Sequence, residues 1–269
     1  MTNYLRTLQL NCLHSAQEKR LKLIIESIQE SRADIGMLQE VNDHELMASE
    51  LKKIGYDHTL LCECKNSKGE GESVMLFSKN TLTSVKNSLS RFAQPVRTVA
   101  GITEFFGVKI LMISSHSAWG ASVEASRLKN NERIENLSQD VKFREKVDLT
   151  ILGADLNAEP DYRSVRYLLG KDLDSKNELS TLWTDGWSLA GSHDNFVTVS
   201  AKDNALAAHV ASLSGALDPS TVPDRRIDYL MTRGWNYGRR GSFLNFDRLT
   251  HSSGDNISDH YGLVAEIQI

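Results

Sequence analysis

Gly153-Ala154-Asp155-Leu156-Asn157-Ala158-Glu159-Pro160, taken with Ser258-Asp259-His260 near the other end of the chain, decides how this sequence is read. In each stretch, side chains able to handle metal ions and phosphate gather where a strand gives way to a loop. Val147 to Leu152, before the first, is mostly apolar and reads as a buried strand. Tyr261 to Ile269, after the second, alternates, with Leu263, Ala265 and Ile267 on one face and Glu266 and Gln268 on the other. A rigid strand end presents Asp155, Asn157, Asp259 and His260 with little positional slack.

The same punctuation recurs upstream. Leu5 to Leu10 reads as a strand ending at Asn11, and Ile35 to Leu38 as one closing on Gln39-Glu40. Between them Leu21, Ile24, Ile25 and Ile28 carry the buried stripe of a helix, and Asp43 reads as the cap of a helix bearing Leu46, Leu51 and Ile54. Strands are expected at Tyr56 to Cys62, Ser73 to Phe77, Leu82 to Leu89, Arg97 to Phe105 and Val108 to Ser115. A long polar helix is expected over Ser122 to Lys146, and further strands at Arg226 to Thr232 and Phe243 to Leu249. Lys171 to Pro223 is rich in Ser, Asp, Asn and Ala and reads as long loops, with helical hints around Leu182 to Leu189. Strands punctuated by helices, with site-like strand ends in both halves, point to two sheets packed face to face with helices outside.

Each cluster alone has an ordinary explanation. A strand-end asparagine such as Asn11 is usually a turn former, and a strand-end glutamate such as Glu40 is usually solvated. A lone His116 is more often structural than catalytic, though it could donate to a phosphate oxygen or protonate a leaving group. Asp155 and Asn157 are two apart and point the same way on extended backbone. Such a pair lets the acid orient or deprotonate a water while the amide holds an oxygen. Asp228 lies in an apolar strand pattern and needs a partner, either His260, whose tautomer it would fix, or a salt bridge to Arg225 or Arg226. Hard divalent cations take oxygen ligands and need only one or two carboxylates. The order Asn11, Glu40, His116, Asp155/Asn157, Asp228, Asp259/His260 carries more than any member.

Composition narrows the class. The 269 residues are 40% apolar with four prolines, which fits one large α/β domain over 1–269 as well as two small ones. No apolar window is long enough for a membrane span and no secretory leader is visible, so a cytoplasmic protein is expected. Cys12, Cys62 and Cys64 give neither a disulfide framework nor a zinc spacing. The net charge of −4 argues against indiscriminate nucleic-acid binding. Arg225, Arg226, Arg233, Arg239 and Arg240 form the one marked basic accumulation, either solvated surface or phosphate-facing.

The set of clusters resembles the endonuclease/exonuclease/phosphatase superfamily, the DNase I-like fold. The matching segments are Gln9-Leu10-Asn11, Leu38-Gln39-Glu40-Val41, Ser115-His116-Ser117, Gly153-Ala154-Asp155-Leu156-Asn157, Arg226-Ile227-Asp228-Tyr229 and Ser258-Asp259-His260, over residues 5 to 269. Ala154 stands where many members have glycine directly before the aspartate. The resemblance implies a four-layer α/β sandwich and a Mg²⁺- or Mn²⁺-dependent phosphoesterase. It implies Glu40 as principal metal ligand with Asn11 and Asp259 nearby, and Asp155 activating water. Asn157 and His116 would hold phosphate oxygens, and Asp228 would support His260. Glu72 resembles a glutamate that partners the middle histidine, and Arg97 an arginine at the rim of the phosphate site; Arg226 joins these as a candidate substrate contact.

Three functions follow as expectations. The first is hydrolysis of a small-molecule, nucleotide or headgroup phosphate ester, favoured by the acidic charge and the 7% aromatic content. The second is a DNA or RNA nuclease using the arginine tract, which would lose affinity steeply as salt rises. The third is a non-catalytic binding module of the same fold, against which every charged position of the set is occupied. The sequence carries nothing on oligomeric state.

Overall fold

The computed structural model describes residues 3–14, 17–65, 69–85, 97–191, 197–234 and 239–269. Each of its sheets is organised about a central parallel pair. Strand β1 (Tyr4–Asn11) runs parallel to β2 (Ile35–Val41), and β7 (Val108–His116) runs parallel to β8 (Leu149–Asp155). Parallel neighbours need a long crossover. Helix α1 (Gln17–Ser31) makes the first and α3 (Glu124–Glu145) the second.

Antiparallel strands complete both sheets. The first has the order β11-β12-β1-β2-β4-β3, adding β3 (His58–Cys62), β4 (Ser73–Ser78), β11 (Phe243–Leu249) and β12 (Gly262–Gln268). The second has the order β5-β6-β7-β8-β10-β9, adding β5 (Thr83–Ser84), β6 (Arg97–Phe105), β9 (Trp183–Asp185) and β10 (Asp228–Arg233). Of the strand expected over Leu82 to Leu89, only Thr83 and Ser84 pair; Leu82 and Val85 lie outside the strand, and 86–89 are outside the described residues.

Apolar side chains form three layers, which is why the result is a four-layer sandwich. Leu5, Met37, Leu76, Met112, Ile151, Leu230 and Leu263 meet between the sheets. Leu111, Ile113 and Leu152 face Ile134, Leu137 and Val141 of α3 and Val165 of α4 (Arg163–Leu168). On the other side Leu8, Leu10 and Phe77 face Ile24 and Ile28 of α1 and Met47 and Leu51 of α2 (His44–Lys53). Asp43 caps α2 by accepting from Leu46 N–H, as expected, but Leu46 itself is exposed and Met47 fills the core place. The sheets approach closely where Gly153 stands: a Cβ there would lie 2.7 Å from the Met37 side chain. None of the described helices is long and apolar enough to cross a membrane.

Within the span read as long loops, Lys171 to Pro223, the helical hint around Leu182 to Leu189 falls on a strand and a short helix, and one further helix was not expected. That span holds β9, a short α5 (Gly186–Ala190) and α6 (Ala205–Leu213), which Asn204 caps by accepting from Leu206 and Ala207 N–H. Among the residues of α6 only Ala207 is buried, so no amphipathic stripe announced it.

Candidate active site

Strand register assembles the site. Arg97 pairs across from His116, His116 from Asp155, and Asp155 from Asp228, so one row across β6, β7, β8 and β10 carries all four. Directly opposed residues share a face. Sheet one contributes Asn11, paired with Gln39, and then Glu40. Simple alternation would turn Gln39 and Glu40 to opposite faces. The β2–β4 register shifts by one residue between Leu38 and Val41, and Glu40 there has φ +54°. This bulge re-aims Glu40 toward the second sheet. Leu13 (φ +51°) and Asn157 (φ +50°) beside it are likewise left-handed without being glycine.

Asn11 Nδ2 donates to Glu40 Oε1 (3.1 Å) and Asp155 Oδ2 (2.9 Å), while its Oδ1 accepts from Leu13 N–H (2.9 Å). It therefore stands as a bridge between two carboxylates, its carbonyl turned to the backbone. His116 Nε2 lies 3.6 Å from both Glu40 Oε1 and Asp155 Oδ2. Asn157 N–H donates to Asp155 Oδ1 (2.8 Å), and its side-chain amide donates to Ser117 O (3.1 Å). Asp228 takes the histidine alternative: its Oδ2 is 2.8 Å from His260 Nδ1, whereas Arg225 pairs with Glu159 and Arg226 with Asp185. His260 Nε2 lies 4.0 Å from both Asp155 Oδ2 and Asp259 Oδ2. Asp259 itself accepts from Ser258 Oγ (3.1 Å).

Several supporting residues were not anticipated. Gln9 Nε2 donates to Gln39 Oε1 (2.7 Å) and Asp228 Oδ1 (2.9 Å), and Gln39 Nε2 donates to Ser114 Oγ (2.9 Å). This buried network ties both sheets directly beneath the site. Arg20, also buried, donates to the carbonyls of Cys12, Leu13 and Ile257, clamping the loop after β1 to the loop before Ser258. His14 holds Glu40 through Nδ1 to Oε2 (2.8 Å) and its own backbone N–H (3.3 Å). Only the three-residue distance from Asn11 marked His14 in the sequence.

Electrostatics separate these acids. Burial opposes the Glu40 carboxylate, yet the His14 bond, the nearby His116 and the Asn11 bond hold it well below its ordinary range. Burial and then Asp228 push Asp155 upward, with His260 and His116 countering. Burial raises Asp259 as well. His260 is held well above its ordinary value against burial, chiefly by the charges of Asp228 and Asp259. The His14 ring is raised, first by its bond to Glu40.

Donor atoms of Glu40, His116 and Asp155 all lie within 4.8 Å of one another, as do those of Asp155, Asp228 and His260. Oxygen-rich surroundings of that size fit a hard divalent cation. The first cluster has Glu40 and Asp155 as its carboxylates; burial penalises the ionisation of both, and only Glu40 is held below its ordinary range by its partners.

The site opens into a cleft of about 1820 Å³, whose walls include His14, Glu72, Arg97 and the 74%-exposed Trp119. Arg97 forms an ion pair with Glu72 and reaches His116 Nδ1 (3.4 Å). Arg226 is not brought to this cleft. It is 4% exposed, stacks over Tyr229 and binds both oxygens of Asp185 at 2.6 Å. Arg233 is likewise paired with Glu135 and Arg240 with Asp148, so most of the basic tract is spent within the fold.

The profile of the Endonuclease/Exonuclease/phosphatase family matches residues 8–260. No curated protein sequence matches the chain. Among solved structures, an endonuclease/exonuclease/phosphatase family protein from Bacteroides thetaiotaomicron superposes with a TM-score of 0.71 at 14% identity, covering 100% of this chain and 96% of that one. D. rerio TDP2 complexed with single-strand DNA product gives 0.69 at 16% identity, covering 99% and 100%. The human Nocturnin catalytic domain with bound sulfate gives 0.63 at 16% identity, covering 99% and 97%.

Proposed function

The chain belongs to the Endonuclease/Exonuclease/phosphatase family, and from that premise we propose that residues 1–269 act as one domain hydrolysing a phosphate ester with a divalent metal ion, Mg²⁺ or Mn²⁺. The observation that carries this reading is the convergence of Glu40, His116 and Asp155, from different strands of two sheets, within 4.8 Å. Glu40 would hold the cation, beside Asp155 and His116, and the ion would supply charge to offset the non-bridging oxygens and make a water more acidic.

The chain's own groups then divide the work. Asp155, whose carboxylate is pushed upward by burial and by Asp228, orients the attacking water and takes its proton. Asn157 and His116 face phosphate oxygens, with Arg97 steadying His116 from Glu72. Asp228 accepts from His260 Nδ1, which leaves Nε2–H directed at the cleft to stabilise developing negative charge.

For substrate, we favour a small-molecule, nucleotide or headgroup phosphate over a long nucleic acid. The net charge of −4 favours it, and Arg226, Arg233 and Arg240 are engaged by Asp185, Glu135 and Asp148, although Lys65, Arg97, Lys129, Arg133 and Arg225 line the cleft. The nuclease reading keeps a further observation in its favour: exposed Trp119 on the cleft wall offers a stacking surface for a base. We also propose a cytoplasmic setting, since all three cysteines are free thiols.

The test is a mixed panel of phosphate monoesters and diesters, nucleotides and single-stranded DNA, each with and without EDTA. Hydrolysis that EDTA abolishes and Mg²⁺ or Mn²⁺ restores is expected. A full set of blanks with metal present would overturn the reading. A steep salt dependence on DNA alone would move the substrate to the nuclease class.

A further inference from the structure

The arm joining β3 to β4 holds a pair of groups that the phosphate-ester chemistry leaves unused. Cys62 ends β3 opposite Val74, and Cys64 follows two residues later. There Cys64 N–H donates to Ser73 Oγ (3.3 Å), and its carbonyl accepts from Glu72 N–H (3.0 Å). Residues two apart on extended chain point the same way and have Cα atoms about 6.6 Å apart, inside the roughly 4.4–6.8 Å that a disulfide spans. The two sulfurs lie 3.7 Å apart, half-buried, and both line the catalytic cleft. Closing that gap to a bonded S–S distance draws Cys64 toward Cys62. Cys12 provides the contrast: it is fully buried without a cysteine partner, and burial pushes its thiol up to about 12.

We propose that Cys62 and Cys64 are a redox-active dithiol at the rim of the cleft, oxidised to an intramolecular disulfide by a low-molecular-weight disulfide of the glutathione type. The Cys62 thiolate attacks one sulfur of the small disulfide, whose S–S bond breaks and releases the first small thiolate. Cys64 then gives up its proton and attacks the Cys62 sulfur, breaking the mixed disulfide and releasing the second thiolate. Two protein thiols are oxidised to one disulfide, one small disulfide is reduced to two thiols, and the two protons pass to them. Cys62 is the attacking member: its contact with Cys64 lowers its thiol against burial, while the same contact and burial raise Cys64.

Closure has a route to the site. Cys64 O holds Glu72 N–H, Glu72 holds Arg97, and Arg97 reaches His116. Drawing Cys64 toward Cys62 displaces this arm and weakens the grip on His116.

The experiment treats the purified chain with oxidised glutathione, alkylates the remaining thiols and maps them by mass spectrometry. Loss of two hydrogens with a Cys62–Cys64 bond is expected, Cys12 staying reduced. Cys64→Ser should instead accumulate a glutathione adduct on Cys62, and Cys62→Ser should form none. Oxidised wild type should hydrolyse its best substrate roughly two- to thirtyfold more slowly, with recovery in dithiothreitol and no such response in Cys62→Ser. Both thiols remaining alkylatable, a lasting mixed disulfide in wild type, or an adduct on Cys64 in Cys62→Ser would overturn the dithiol. Full activity of the oxidised chain would overturn its link to the site. The thiol readout stands whether or not the chain hydrolyses phosphate esters.

Discussion

Asp228→Asn is the perturbation whose outcome the structure constrains most tightly. Asp228 is fully buried, with Oδ1 accepting from Gln9 Nε2 (2.9 Å) and Oδ2 facing His260 Nδ1 (2.8 Å). An asparagine has the same shape and can still accept from Gln9, so the fold survives. Its NH₂, however, meets a ring nitrogen that now has to accept, which moves the imidazole proton to the wrong place. The lost charge-assisted hydrogen bond is worth about 1.5–3 kcal/mol, and at about 1.36 kcal/mol per pH unit His260 loses its proton about one to two pH units earlier. Asp155 changes too, because Asp228 is the second cause of its upward shift after burial. Carboxylate oxygens within 4.8 Å of each other repel by about 3.5 kcal/mol or more at an effective dielectric near 20, so removing one charge lowers Asp155 as well. The acid limb of kcat/KM requires ionised Asp155 and is lost as pH falls through its value; the basic limb requires protonated His260 and is lost as pH rises through its value. Both values drop, so both limbs move to lower pH, while the maximum falls roughly a hundredfold or more. The assay is kcat/KM against pH at saturating metal for wild type and variant. Limbs that stay in place, or move apart, would show that Asp228 does not set the protonation of His260 and Asp155.

Three further outcomes follow from the same contacts. His14→Ala removes the 2.8 Å bond to Glu40 and should raise the Mg²⁺ concentration for half-maximal rate roughly 10- to 100-fold, with recovery at saturating Mg²⁺, as loss of an outer-shell partner does. Gly36→Ala places a Cβ 2.0 Å from the Phe77 ring; overpacking of about 1–3 kcal/mol should lower Tm by about 2–12 °C in a thermal melt. Arg233→Met strips Glu135 of its main cation and should cost about 3 kcal/mol by chemical denaturation at neutral pH. Burial opposes the Glu135 carboxylate, but Arg233 and Gln139 hold it below the ordinary 4.5. A depressed acid stabilises above its unfolded value and loses that contribution as pH falls through the folded one, so the gap between wild type and variant should close in acid.

Much of this architecture is legible in the sequence because it is periodic. β6, at Arg97–Phe105, and β11, at Phe243–Leu249, fall where their apolar patterns put them. Asn11, Glu40, His116, Asp155, Asp228 and His260 meet because each sits at a strand end, and strand ends of neighbouring strands are brought together by register. What stayed hidden depends on local geometry. The bulge that turns Glu40 inward leaves no mark beyond Gln39-Glu40 itself, and His14 gains its place only through the loop that Arg20 clamps. Arg226 looked like a substrate contact beside Asp228, yet its partner Asp185 comes from a span that read as loop. α6 escaped because an Ala-rich helix with one buried residue has no stripe to detect.

Crystals soaked in Mn²⁺ and measured at a wavelength sensitive to its anomalous scattering give the most direct test that the two sheets build one cation site. An anomalous peak bounded by the carboxylates of Glu40 and Asp155 is expected, and it should vanish in Glu40→Ala. A map with no peak there at saturating Mn²⁺, or a peak that survives Glu40→Ala, would contradict it.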